Sequence, residues 1–224
     1  MAVAPDYHKV AEDALTTLLE IINDKEGWSK CQNVRKIFIS SKKSNLCAGN
    51  MFKAELEIDG PMEKVLHYWN PKPKGCRGDW DNSLSSVEGF DIIDDEVMVV
   101  RTVTPSAAMG LISSREFIDT VMQRRYPDKN MVVLSSHHVE HKDYPIKPEF
   151  VRGRNHPCGI TFTAVPGTPE KTQICYLAHT ELGGDIPLSL TEAALPSSIH
   201  SMFDLLGKKV VESVKNDEDE GSAI

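Results

Sequence analysis

Seven short, largely apolar segments divide most of the chain, and each is bounded by Gly, Pro, Asn or Asp. They span residues 34–40, 50–59, 90–104, 115–126, 130–141, 159–165 and 172–182. Alternating apolar and polar residues in short runs between turn residues are typical of antiparallel strands. The sequence therefore predicts one antiparallel sheet that contains most of the chain.

Helical periodicity is confined to three segments. Residues 5–22 place Val10, Ala14, Leu18 and Ile22 on one face, and 61–69 form a short amphipathic segment. The longest segment, 189–215, repeats apolar residues at helical spacing and begins with Ser189 and Glu192, the spacing of a capping box. Pro196 lies inside it and removes one backbone hydrogen bond, so we expect its first turns to kink or to attach loosely.

This order of elements predicts an α+β fold with one antiparallel sheet and the helices packed on one side of it. A sheet that curls around a terminal helix can leave a void between the two, which is a natural lipid cavity. With 224 residues, one domain over residues 1–215 is expected. The acidic run Asp217–Glu220 predicts a disordered tail over 216–224.

Composition excludes several classes of function. A formal net charge of −8 argues against a nucleic-acid binder, which needs a dense Lys/Arg face. No apolar run is long enough to span a bilayer. The five cysteines form no CxxC pair and the first residues contain no apolar signal core, so we expect free thiols and a cytoplasmic location.

The octet "RGRNHPCG" (152–159) contains the most suggestive chemical group, because it places Asn155, His156 and Cys158 within four positions. An imidazole beside a thiol can generate a nucleophilic thiolate. No acidic residue that would orient the imidazole is evident, and a structural thiol is the favoured interpretation. His137 and His141 suggest a metal site, but their spacing matches no known zinc motif. We expect no enzyme activity, no metal and no cofactor.

Polar residues in apolar surroundings are the remaining candidates. Arg77 in "CRGDWD" forms either a surface ion pair or a ligand contact. The hydroxyls of Thr102, Thr104 and Ser135 face either a cavity or satisfied core partners. The loop 104–114 carries Met109, Gly110, Leu111 and Ile112, and acts as a gate or membrane contact unless it packs as an ordinary loop.

Several motifs together make a family resemblance specific. "WDNSL", "TPSAAMGLISSREFIDTVMQRRY", "PEFVRGRNHPCG" and "AHTELGGDIP", followed by a Pro-containing C-terminal helix, resemble the START (StAR-related lipid transfer) domain. The resemblance extends over residues 5–212 and is narrowest with the small, soluble, single-domain branch that carries sterols, bile acids or related lipids. "ISSREF" is similar to the branch pattern I-S-P-R-[DE]-F, with Ser114 where Pro is usual.

The resemblance implies a helix-grip fold, in which a curved sheet of about nine strands surrounds the C-terminal helix and one lipid occupies the tunnel between them. The loop 104–114 and that helix would form the gate, with Gly110 and Pro196 as its flexible points. Arg77 would be the polar contact at the closed end, with Trp80 as a wall. Thr102 and Val121 stand where steroidogenic relatives have a buried acid–base pair, which puts a steroidogenic role in doubt. The expected ligand contacts are Arg77, Trp80, Thr102, Thr104, Met109, Leu111, Phe117, Val121, Ser135, Phe162, Leu195, Ile199 and Phe203.

The function implied is a monomeric cytosolic carrier of one hydrophobic, sterol-like ligand such as cholesterol or a bile acid, which touches membranes transiently and transfers its cargo. Two alternatives stay open. One is a binder that sequesters another hydrophobic ligand, such as a carotenoid, without transfer. The other is an enzyme built on the same architecture, a possibility that rests on fold analogy alone.

Overall fold

A computed structural model describes residues 5–34, 36–107 and 112–221. Within them the α-helices are α1 (Tyr7–Asn23), α2 (Met62–Trp69) and α3 (Leu188–Gly221). The strands are β1 (Ser29–Val34), β2 (Ile37–Lys43), β3 (Asn50–Asp59), β4 (Ser86–Ile92), β5 (Val97–Val103), β6 (Arg115–Tyr126), β7 (Met131–His138), β8 (Val151–Arg152), β9 (Arg154–Asn155), β10 (Cys158–Val165), β11 (Thr168–Ala178) and β12 (Thr180–Glu181). Short 3-10 helices lie at Arg77–Asp79 and Pro127–Lys129.

The main sheet confirms the α+β prediction and the expected number of strands. Its path is β1-β2-β3-β11-β10-β7-β6-β5-β4, every neighbouring pair on it is antiparallel, and β8 joins β6 in parallel from outside it. Strands that are adjacent in the sheet are also consecutive along the chain, with two exceptions: β3 pairs with β11, and β7 pairs with β10. The sheet therefore consists of two meanders, β1–β3 and β4–β11, joined by the β3–β11 pair.

Two predicted strands are interrupted in the structure. The segment 34–40 contains a turn at Lys36, whose φ is 67°, so β1 ends before it and β2 follows. The segment 90–104 is a hairpin made from the end of β4 and all of β5. Asp94 causes this turn, because its Oδ1 accepts hydrogen bonds from the backbone N–H groups of Glu96 and Val97, both at 2.8 Å.

Helix α1 confirms its prediction closely. Asp6 caps its first turn by accepting the Lys9 N–H at 3.0 Å, and its apolar face is buried. The prediction that the helices pack on one side of the sheet is wrong. The side chains of α1 are buried with Met51, Val97, Met122 and Leu177, whereas those of α2 and α3 are buried with residues that point to the opposite face.

Helix α3 is longer than predicted. It is helical through Gly221, so residues 216–221 are helical where disorder was expected. The capping box is also absent, because the Glu192 carboxylate reaches across to the Asn50 N–H at 2.7 Å instead of its own helix terminus. Pro196 lies inside the helix, as predicted. No helix among the described residues combines the length and apolarity needed to cross a bilayer.

A buried polar network joins four strands where β7 leaves the sheet. The Asp119 Oδ2 atom accepts a hydrogen bond from Asn155 Nδ2 at 2.8 Å, and Asn155 Oδ1 accepts one from the Thr180 hydroxyl at 2.6 Å. The His138 imidazole contacts the Asn155 carbonyl oxygen at 2.8 Å. The second carboxyl oxygen of Asp119 is buried and has no hydrogen-bond partner among the described residues, and burial raises the pKa of Asp119 to about 7.

Asp119→Asn should change the pH dependence of stability. In the unfolded chain this carboxyl ionises near pH 4, whereas in the folded protein it resists ionisation up to about pH 7. The penalty of ionising it is therefore absent below about pH 4 and complete above about pH 7. The free energy of unfolding of D119N minus that of the wild type should rise across this range by on the order of 3 kcal/mol.

Urea denaturation of both proteins between pH 4 and pH 8 measures this difference. The exposed Asp185 provides a matched variant, D185N, whose difference from the wild type should stay constant across that range. A constant difference for D119N as well would contradict the assignment.

Candidate functional site

The two faces of the central sheet are filled to different extents. Several residues that point toward α1 from β6, β7 and β11 are fully buried, whereas some residues on the opposite face of the same strands retain accessible surface. The first set is Met122, Val133, Ser135 and Leu177, and the second is Val121, Gln123, Ser136 and Tyr176. Protein interiors normally leave few voids larger than a water molecule, so this asymmetry needs a cause.

We interpret the accessible surface on the second face as the lining of an internal space between the sheet and α3. β6, β7 and β11 all have strands on both sides, and α3 covers this face. The closest backbone contacts of α3 are with α2, β3 and β1, at one side of the sheet. Tyr176 supports the same conclusion, because burial raises its pKa to about 12 although its side chain keeps accessible surface. The ring is surrounded by protein yet faces unfilled volume.

Aromatic rings close one end of this space. Trp69, the last residue of α2, stacks on Phe203 of α3 with ring centroids 5.7 Å apart. Its ring also meets the edges of Tyr176 at 5.7 Å and Phe162 at 6.3 Å. Offset and edge-to-face arrangements of this kind are favourable beyond the area that they bury. The rings therefore fix α2, α3 and the sheet against each other at the closed end.

Arg77 packs against these aromatic rings. Its guanidinium carbon is 4.1 Å from the Trp69 ring centroid, and its Nε donates to the Asp81 carboxylate at 3.0 Å. Its Nη2 contacts the Met202 sulfur of α3 at 3.6 Å. Asp81 is almost completely buried, so the pair is an internal ion pair rather than a surface one. Trp80 is buried beside it and donates its indole N–H to the Tyr68 carbonyl at 2.6 Å.

The opposite end contains the predicted gate loop. Ala107 and Ile112 form an isolated bridge, and the Ser114 hydroxyl donates to the Thr104 carbonyl at 2.6 Å. The Thr104 hydroxyl accepts the Arg115 N–H at 3.1 Å, so it serves the loop's own backbone. The predicted residues Met109, Gly110 and Leu111 lie outside the described residues.

Exposed apolar residues lie at this same end. Leu188 and Leu190 begin α3, and Leu46 belongs to the β2–β3 turn. The Leu188 side chain comes so close to Gly49 of that turn that a Cβ on Gly49 would lie 3.0 Å from it. The start of α3 and the β2–β3 turn therefore form one partly apolar surface beside the loop.

The strand register decides where the other predicted contacts point. Thr102 lies opposite Phe117, and both face the α3 side of the sheet. Val121 lies opposite Met98. Because Met98 precedes Thr102 by four residues on β5, Val121 and Thr102 are about 13 Å apart along the strand direction. Phe162, Ile199 and Phe203 are buried on the α3 side, with Leu195 packed against them.

Ser135 does not face the internal space. It lies opposite Met122 and Gly159, on the face that α1 covers, so its prediction as a ligand contact is contradicted by the register. Its neighbour Ser136 has the orientation that was assigned to Ser135. The sequence "LSSH" contains no signal that distinguishes the two, because a one-residue change of register exchanges the faces.

Trp69, Tyr176 and Asp119 were missed as residues of this face. Tyr176 lies between Cys175 and Leu177, which both point toward α1, so the segment reads as continuously apolar rather than as alternating. Asp119 is opposite Val100 and His138, in the middle of the α3-facing side. A carboxylate within "REFIDTVM" would have been a signal, since an isolated acid in a buried strand needs an explanation.

The octet 152–159 is structural. His156 Nε2 pairs with the Glu181 carboxylate at 2.6 Å, so the expectation that no acidic partner exists is wrong. That pair does not activate the thiol, because burial raises the pKa of Cys158 well above its ordinary value and its sulfur lies 3.6 Å from the Ser136 carbonyl oxygen. A thiol that stays protonated is a poor nucleophile.

The histidines that suggested a metal have other partners. His137 Nδ1 contacts the His138 carbonyl oxygen at 2.8 Å, and His141 Nε2 lies 3.2 Å from the Asp91 carboxylate. Across the described ranges, no three His, Cys, Asp or Glu residues are arranged to hold a metal ion.

Comparisons with known proteins agree with this architecture. The START domain family model matches residues 9–207. StAR-related lipid transfer protein 5 of mouse is 38% identical over 89% of this chain and 93% of its own length. StAR-related lipid transfer protein 6 of human is 31% identical over 87% of each chain. The solved structure of human StAR-related lipid transfer protein 5 superposes with a TM-score of 0.85 at 34% identity, covering 92% of this chain and 97% of that one.

The family match covers most of the chain, the relatives align over nearly their whole length, and the sheet and terminal helix have the arrangement that the motifs implied. The chain belongs to the START domain family.

Proposed function

We propose that this protein binds one sterol-like lipid in the space between α3 and the central sheet and carries it between membranes. The observation that carries the proposal is the accessible surface on Val121, Ser136 and Tyr176, in the middle of a sheet that α3 covers. The names of the relatives, which describe lipid transfer, support it.

The lining suits a hydrophobic ligand with one polar end. Val121, Phe117 and Val100 supply apolar surface, while Arg77 and Gln123 lie toward the closed end. A ligand of sterol size that loses about 400 Å² of apolar surface gains about 10 kcal/mol before association costs are subtracted. An unpaired polar group inside the space costs about 1–3 kcal/mol, so a few polar side chains select among ligands.

Release requires the other end to open. The bridged residues Ala107 and Ile112 and the first turns of α3 lie at that end, and Leu46, Leu188 and Leu190 are exposed there. Apolar residues exposed together suit transient contact with a membrane surface. We therefore assign the gate to this end, with Pro196 inside the moving helix, and expect the carrier to act as a cytosolic monomer.

The test is uptake and transfer by the purified protein. It should bind a fluorescent sterol at one molecule per chain and move it from donor to acceptor liposomes. Binding without transfer would instead support a sequestering protein, the alternative of a carotenoid-type binder. Failure to bind any sterol, bile acid or carotenoid would contradict the proposal.

Filling the space should abolish uptake without unfolding the protein. Val121→Phe adds volume on the side that is unfilled, so we expect a thermal midpoint within a few degrees of the wild type and at least a tenfold loss of sterol affinity. Val133→Phe is the matched variant, because Val133 is fully buried against α1. It should destabilise the fold by about 1–3 kcal/mol. Thermal unfolding and sterol titration separate the two results, and equal destabilisation by both variants would argue against an internal space.

The Arg77–Asp81 pair should contribute to both stability and ligand selection. Arg77→Met leaves the carboxylate of Asp81, whose side chain is only 2% exposed, without its partner, so we expect about 3 kcal/mol of destabilisation. Adding Asp81→Asn removes that buried charge and should restore most of the stability. The double variant should still bind oxygen-bearing sterols more weakly than the wild type. Urea denaturation and sterol titration of the single and double variants test this, and an unchanged sterol affinity in the double variant would remove Arg77 from the site.

A further inference from the structure

Tyr176 of β11 occupies a defined row across the sheet. Reading from β6 to β11, the residues that lie opposite one another are Gln123, Leu134, Ile160 and Tyr176. Three strand spacings separate the first from the last, about 14 Å before curvature is considered. Leu134 and Ile160 therefore form an apolar floor with one polar side chain at each end, and Trp69 meets the Tyr176 ring from α2.

The ring of Tyr176 is held firmly, but its hydroxyl is not used. The ring packs against Trp69 at 5.7 Å and Phe203 at 5.4 Å. Among the described residues no group forms a hydrogen bond with the hydroxyl, and the side chain keeps accessible surface inside the protein. Burial raises the pKa of Tyr176 to about 12, so the hydroxyl keeps its proton and can donate a hydrogen bond as well as accept one.

A packing role alone does not account for this hydroxyl. Buried tyrosines usually satisfy the hydroxyl with a protein partner, and phenylalanine would supply the same ring contacts without an unsatisfied group. Trp80, a short distance away, follows the usual pattern by donating to the Tyr68 carbonyl. The hydroxyl of Tyr176 is therefore available to a molecule that enters the space beside it.

A second donor lies near the same end. Arg77 and Tyr176 share Trp69 as a neighbour, and the positive charge of Arg77 acts electrostatically on the Tyr176 hydroxyl. Arg77 uses Nε for Asp81 and Nη2 for the weak acceptor sulfur of Met202, whereas Nη1 makes no hydrogen bond to a described residue. The second carboxylate oxygen of Asp81 accepts hydrogen bonds from the backbone N–H and the hydroxyl of Ser83. The unused groups at this end are therefore donors.

We propose that Tyr176 is a specificity-determining ligand contact, whose hydroxyl donates a hydrogen bond to an acceptor oxygen at the inner end of the bound lipid. The inference rests on the proposed lipid-binding function and adds the chemistry of the ligand. Two donors select a carbonyl or carboxylate oxygen over a plain hydrocarbon end. Removing the Tyr176 hydroxyl removes one of them and leaves the aromatic packing in place.

Tyr176→Phe tests the proposal with a pair of ligands that share one skeleton. Cholestan-3-one carries a single carbonyl oxygen and cholestane carries none, and each competes with a fluorescent sterol for the purified protein. Y176F should bind cholestan-3-one about fivefold to tenfold more weakly than the wild type, the loss expected for one hydrogen bond. Its affinity for cholestane should stay within twofold.

Tyr126→Phe is the matched control, because Tyr126 packs on the α1 side of the sheet. It should leave both affinities unchanged, and thermal unfolding verifies that both variants are folded. Equal affinities of Y176F and wild type for cholestan-3-one, or equal losses for both ligands, would overturn the role of the hydroxyl while leaving the carrier function intact. If the wild type binds no steroid at all, the proposed function itself fails.

Discussion

The close packing of α1 against one face of the sheet is the constraint on which the rest of the molecule depends. Because Met122, Val133 and Leu177 are fully buried beneath α1, the central strands are firmly packed on that side. The opposite face packs against α2 and α3 at Leu134, Ile160 and Phe162, but it keeps accessible surface at Val121 and Tyr176. An internal space of this kind is stable only when another part of the fold supplies the missing packing.

Buried carboxylates lie at both ends of the proposed site. The Glu116 carboxylate, near the base of the gate loop, accepts from Arg101 and Arg152 at 2.8 Å each, and Asp81 pairs with Arg77 at the closed end. Both acids are buried with cationic partners, which is the condition under which a buried carboxylate is tolerated. Asp119 departs from this rule, since it has one amide donor and no direct cationic contact, and its pKa rises accordingly.

Much of the fold was predictable from sequence, because strand alternation and helical spacing are local properties. The helices were located within a few residues, apart from the C-terminal end of α3, and the motifs identified the family. The face of the sheet toward which a side chain points was harder to predict from sequence. Ser135 was assigned to the wrong face because register is set by pairing with β6 and β10, and neither pairing is encoded in "LSSH" itself.

The polar residues of the candidate site were also only partly predictable from sequence. Arg77 was proposed because a charge beside Trp80 and Asp81 is conspicuous in sequence, and in the structure it packs on Trp69 and pairs with Asp81. Tyr176 was missed, because its proposed role depends on a hydroxyl that has no partner in the described part of the chain, which only three-dimensional packing reveals. Met109, Gly110 and Leu111 keep their predicted roles as predictions. Thr104 is accounted for by hydrogen bonds within its own loop.

The single β3–β11 junction between the two meanders has a kinetic consequence. Its partners, such as Glu57 and Gln173, are more than one hundred residues apart, whereas nearly every other neighbouring pair follows directly along the chain. Closing such a long loop is entropically unfavourable until the strands have paired, and topologies rich in distant contacts fold slowly. Each meander can form early, but the space between the sheet and α3 exists only after β11 has joined the first three strands. During synthesis the compartment is therefore assembled last, with α3 as its final wall.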